Sequence, residues 1–128
     1  MAPTDLQQLT TEIVDAPVPI VRVGGELDLS TAAQLCRAIH TATAETALRP
    51  PRVVVDLTAL EFSDSTGLGA LVGAVREVRV LGGKAVLAVK PHSTLDRLLD
   101  LSGLGEFLRV EASAEAALRR LGAAQRDR

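Results

Sequence analysis

Three consecutive valines, Val53, Val54 and Val55, stand between Pro50-Pro51 and Asp56. Side chains along a strand point alternately to its two faces, so an unbroken β-branched run leaves neither face for water. Such a segment fits an interior strand covered on both sides, and the rest of the chain must supply the cover. The flanking sequence does so. Ala32, Leu35, Cys36, Ile39 and Thr43 recur at helical spacing before the valines, and Leu68, Leu71, Val72, Val75 and Val78 do so after them.

The remaining elements follow from local signals. Apolar stretches at 13–14 and 18–23, separated by Asp15, Ala16 and Pro17, read as two strands joined by a turn, after which Gly24-Gly25 loosens the backbone. Ser30 is placed to cap a helix over about 31–47, and Pro50-Pro51 prevents its continuation. The valine strand ends at Asp56, and a loop leads to the second helix, stopped by Gly82-Gly83. Residues 84–89 form another strand. Ser93 with Asp96 imitates a capping box for a helix carrying Leu95, Leu98 and Leu99, which Ser102-Gly103 ends. Residues 107–110 read as a last short strand, and Ser113 caps a helix with Ala114, Ala117, Leu118 and Leu121 inward.

The order β-β-α-β-α-β-α-β-α predicts an α/β fold. Its sheet is mixed but mostly parallel, of about five strands with helices packed on it, the first hairpin giving the antiparallel pair. A chain of 128 residues fits one domain (1–128) with its core at about 12–121 and flexible tails at 1–6 and 123–128.

Composition narrows the function. Basic and acidic residues number 14 and 16, and Phe62 and Phe107 are the two aromatic residues. A basic stripe with interleaved aromatics is missing, which argues against nucleic-acid binding. Cys36 is the lone cysteine, so no internal disulfide forms and a reducing compartment is expected, with Cys36 as a buried structural thiol on the first helix. Residues 1–8 carry no signal-peptide pattern, and no apolar stretch approaches the ~20 residues that span a bilayer. A cytoplasmic protein without membrane association is expected. His40 and His92 lack a second ligand at metal spacing, so neither a metal nor a cofactor is expected. Arg76 and Arg79 fit the outer face of the second helix or a rim contact to a binding partner, and Arg119-Arg120 complements a helix C-terminus.

The most informative segment joins the valine strand to the second helix. Ser63, Asp64, Ser65 and Thr66 put three hydroxyls and one carboxylate at the mouth of that helix. Capping alone explains any one of them, yet only one cap is needed. Gly67 and Gly69 follow, each costing roughly 0.8–1 kcal/mol against Ala in a helix interior. Missing side chains permit close approach, either of a partner or of another part of the same domain.

Phe62-Ser-Asp-Ser-Thr-Gly-Leu-Gly69 resembles the phosphorylation motif of the anti-sigma factor antagonists, the bacterial members of the STAS domain family. Three further stretches agree in order and spacing: Gly25-Glu-Leu-Asp28, Gly82-Gly-Lys84 and Leu101-Ser-Gly-Leu104. The resemblance implies a regulatory binding protein and not an enzyme. Ser65 matches the serine that an anti-sigma factor kinase phosphorylates; the unphosphorylated form binds that kinase and frees the sigma factor, and a phosphatase reverses the modification. Asp28 matches the family's acidic residue beside the phosphorylation site, Asp64 the motif aspartate, and Thr66 stands where many relatives have a second serine. The implied partner-binding surface comprises Asp28, Asp64, Ser65, Thr66, Gly67, Leu68 and Gly69, on a protein monomeric when free. Ser63 occupies a variable position and is assigned no role.

Two alternatives belong to other classes. A STAS module could serve a stress-sensing assembly or a lipid- or anion-transport complex. A small enzyme could use Ser65 as nucleophile, but no base is visible, residue 63 is not the Gly of a nucleophile elbow, and Gly82-Gly-Lys84 lacks the first Gly of a phosphate loop.

Overall fold

The computed structural model describes residues 9–14 and 17–122. The expected tails and the turn residues Asp15 and Ala16 lie outside the described residues. The elements run β1 (Leu9–Val14), β2 (Ile20–Leu27), α1 (Ala32–Glu45), β3 (Arg52–Ser63), α2 (Ser65–Val80), β4 (Lys84–Ala88), α3 (Thr94–Ser102), β5 (Val110–Glu111) and α4 (Ala114–Arg120). They form one five-stranded sheet in sequence order, β1-β2-β3-β4-β5, antiparallel between β1 and β2 and parallel thereafter. This is the predicted α/β order.

The valine run behaves as its chemistry requires. Val53 and Val55 point into the larger core, with Val21, Val23 and Leu87 from neighbouring strands and Leu35, Ile39, Leu71, Val75 and Leu99 from the helices. Val54 points the other way, to a smaller core with Val18, Ile20, Val86, Ala117 and Leu121. All three valines are fully buried. At roughly 1.5–3 kcal/mol for each buried aliphatic side chain, burial of the three valines contributes several kcal/mol to folding.

Several boundaries differ from expectation, each for a stated reason. β3 does not end at Asp56: it continues to Ser63, pairing with β2 up to Leu27↔Ser63 through two register shifts. One shift falls between Gly25 and Glu26, where Gly25 has φ +90, a conformation that a side chain would strain. Accordingly β2 continues past the glycine pair instead of stopping there.

The last strand is shorter and later than residues 107–110. The chain from Leu104 turns, with the Leu108 amide donating to the Leu104 carbonyl, and the Arg79 guanidinium donates to the Phe107 carbonyl. That guanidinium also lies 4.3 Å from the centre of the Phe107 ring. Arg79 is therefore half-buried and not on the open outer face of α2; Arg76 is exposed. Arg120 reaches across to Glu111, at 2.6 Å, in addition to sitting at the end of α4.

α1 starts at Ala32, with Thr31 at the N-cap position instead of Ser30, and it ends at Glu45. Asp64, Ser93 and Ser113 cap their helices with their side chains, and Gly103 closes α3 in the left-handed conformation. The Asp96 carboxylate accepts from the amide of His92, one residue earlier than a capping box would have it.

Candidate functional site

Parallel pairing brings the ends of β2 and β3 level. Leu27 and Ser63 are partners in register, so Asp28 and Asp64, the next residue on each strand, leave the sheet side by side. The Asp64 amide donates to the Leu27 carbonyl at 3.2 Å, tying the two exits together. From here β2 turns into α1 and β3 turns directly into α2.

Asp64 caps α2: its carboxylate accepts from the Gly67 amide at 2.8 Å, and its carbonyl accepts from Leu68 at 3.0 Å. The first helical residues, Ser65 and Thr66, are exposed. Their amides have no carbonyl of their own helix to donate to, which gives this end its partial positive charge. Ser63 points inward, 1% exposed, its hydroxyl donating to the Asp64 carbonyl. Of the four polar residues, one caps, one is internal and two face solvent.

The two glycines have opposite environments. A Cβ on Gly67 would fall 2.7 Å from both the Cγ and the carbonyl oxygen of Leu27, whereas one on Gly69 would meet nothing within 4 Å. Gly67 thus lets α2 press against the end of β2, an internal contact. Gly67 and Leu68 are buried, which corrects their expected place on the partner-facing surface; Gly69 is exposed.

Asp28 is held by its own turn. Its carboxylate accepts from the Ser30 amide at 2.9 Å and from the Ser30 hydroxyl at 2.8 Å. The Thr31 hydroxyl, buried at 5% exposure, accepts from the Asp28 amide and donates to the Glu26 carbonyl, both at 2.9 Å. The Ser30 hydroxyl, aided by the amides of Ser30 and Thr31, holds the Asp28 carboxyl below its ordinary pKa against a smaller opposing effect of burial. Sequence reasoning passed over Thr31; the signal was the run Asp28-x-Ser-Thr31, which favours a local turn just before a helix.

His40 and His92 are both exposed, and no cluster of His, Cys, Asp and Glu fit to hold a metal is present among the described residues. Cys36 is half-buried instead of buried, its thiol donating to the Ala70 carbonyl at 3.7 Å between α1 and α2. Burial raises its pKa, with Glu77 adding to the effect. Among the described residues no helix is long and apolar enough to cross a membrane.

This geometry defines a small α/β module with a serine exposed where its central strand becomes a helix. Residues 8–117 match the family model described as STAS domain, and the chain belongs to that family. It is 34% identical over 103 residues to the anti-sigma-F factor antagonist RsfB of Mycobacterium tuberculosis, covering 79% of each chain. It superimposes on the crystal structure of an anti-sigma factor antagonist from Mycobacterium paratuberculosis with a TM-score of 0.74, at 30% identity and covering 94% of this chain and 96% of that one. It is also similar to the Bacillus cell fate determinant SpoIIAA in its phosphorylated form, with a TM-score of 0.60 at 28% identity, covering 88% of this chain and 98% of that one.

Proposed function

We propose that the protein is a cytoplasmic anti-sigma factor antagonist, a regulatory binding protein switched at Ser65. The unphosphorylated form binds an anti-sigma factor that is itself a serine kinase, releasing the sigma factor; phosphorylated Ser65 ends the interaction, and a phosphatase restores it. The observation that carries this reading is the Ser65 side chain: exposed at the first position of α2, one residue past a cap that the fold already satisfies. The names of the similar proteins agree with it, and SpoIIAA has a phosphorylated form.

In the transfer, the Ser65 Oγ attacks the γ-phosphorus of ATP bound to the kinase. The hydroxyl proton goes to a base on the kinase, and ADP leaves. The product adds a charge near −2 beside the amides of Ser65 and Thr66, which favour an anion by about 0.3–1 kcal/mol at an exposed helix start. The scaffold therefore tolerates the group. Docking does not, because the same surface then brings a dianion against the nucleotide phosphates of the kinase, with Asp28 and Asp64 nearby. Like charges so placed cost several kcal/mol, and each 1.4 kcal/mol is tenfold in affinity. The interface effect dominates.

Incubation with ATP and the anti-sigma kinase of the same organism, followed by mass spectrometry, should place one phosphate on Ser65 and none on Ser65→Ala. The Ser65→Ala protein should stay bound. Equal affinity for the kinase with and without stoichiometric phosphate would refute the switch.

A further inference from the structure

The rim around the mouth of α2 carries apolar surface as well as hydroxyls. Leu29, in the turn between β2 and α1, is 77% exposed, and Phe62, next to last in β3, is 44% exposed. The register sets Phe62 opposite Glu26 and Ser63 opposite Leu27, so Phe62 lies one residue before the end of β3 and Leu29 two residues past the end of β2, at the same mouth from which Ser65 emerges. A single leucine in water is ordinary, but an exposed apolar pair at the same strand exits as a modifiable hydroxyl is the make-up of an interface centre. The charges on the exits of β2 and β3 have one sign. Glu26 and Glu61 are exposed, and Asp28 and Asp64 partly so. The arginine of these strands nearest the rim, Arg22, lies in register with Asp56, roughly 20 Å down the sheet.

We propose that Leu29 and Phe62 are the apolar anchors of the surface that docks the anti-sigma factor, whose facing surface has apolar pockets ringed by basic side chains. This rests on the reading that the chain binds such a factor. The two kinds of group divide the work. The carboxylates on the exits of β2 and β3 speed encounter with a basic surface and set orientation, while burial of Leu29 and Phe62 holds the complex once formed. Phosphate on Ser65 leaves both anchors in place and acts through charge at the same mouth.

The test uses the full-length unphosphorylated chain and the purified anti-sigma kinase of the same organism, with binding followed kinetically. Leu29→Ala and Phe62→Ala should each raise Kd by about tenfold or more, mainly through faster dissociation. Wild-type association should slow as salt rises, and Glu26→Gln with Glu61→Gln should flatten that dependence. Val80→Ala is the control: Val80 is 80% exposed, but at the far end of the 16-residue α2, about 24 Å away. Should Phe62→Ala loosen β3, Leu29→Glu decides, since a residue so exposed does not support the fold. Anchor variants that bind like wild type, or association indifferent to salt, would overturn the inference. If phosphorylation still releases the partner in that case, the switch reading survives; if wild type never binds, both fall.

Discussion

The backbone of Leu27 occupies the space where Gly67 would carry a side chain: its carbonyl oxygen lies 2.7 Å from the position a Cβ would take. The start of α2 is thereby seated on the end of β2. This seat fixes Ser65 relative to Asp28.

Gly67→Ala should destabilise the domain by about 1–3 kcal/mol, because the obstacle includes backbone that cannot rotate away. Gly69→Ala should do the reverse, adding about 0.5–1 kcal/mol in a helix position with open space around it. Urea unfolding of the two variants checks both signs. A Gly67→Ala protein as stable as wild type or more so would mean that the close approach is absent.

Asp64→Ala removes the side chain that accepts from the Gly67 amide, and should cost about 0.5–2 kcal/mol. Asp64→Asn should recover most of it, since an amide oxygen also caps. Comparing the two by thermal melting separates the cap from the charge: only the charge should matter to partner association.

The depressed pKa of Asp28 makes a pH prediction. A carboxyl whose folded pKa lies below its unfolded one contributes stability that is present above the unfolded value and is lost as pH falls through the folded value. Asp28→Asn should therefore differ from wild type most at neutral pH, and the two should converge on the acid limb. Replacing Ser30 by Ala should move the Asp28 titration back toward the ordinary carboxylate range, because the Ser30 hydroxyl is the largest cause of the shift. Carboxyl NMR titration reads this directly.

The Cys36 thiol, half-buried and with its pKa raised by burial and then by Glu77, should react slowly with alkylating reagents at mildly alkaline pH. Glu77→Gln should speed the reaction modestly, and denaturant should speed it greatly. A native rate equal to that of a free thiol would contradict the packing of α1 on α2.

Local chemistry was readable where one residue decides the outcome. Ser93 and Ser113 cap by their own side chains, and Val53 to Val55 disclose a strand buried on both faces. Reading failed where a distant partner decides. The segment after Asp56 contains Thr58 and Glu61 and looks like a loop, yet pairing with a bulged β2 keeps it in the sheet as far as Ser63. Phe107 and Leu108 have the composition of a strand, but contact with Arg79 bends the chain there. For Gly67 and Gly69, two residues apart in one helix, nothing local distinguishes close approach from open space; Leu27 does, from another strand. The candidate serine was legible, whereas the turn that orients its acidic neighbour was not, because Thr31 acts through the backbone of Glu26 and Asp28.

The smaller core has a consequence for synthesis on the ribosome. Val18, Ile20, Val54 and Val86 are covered by Ala117 and Leu121, which belong to the last helix and its final turn. A nascent chain that has already paired its four long strands still shows water a bare aliphatic face until α4 emerges, and such intermediates stick to one another. Truncation before residue 114 should therefore yield aggregates even though every residue around Ser65 is present.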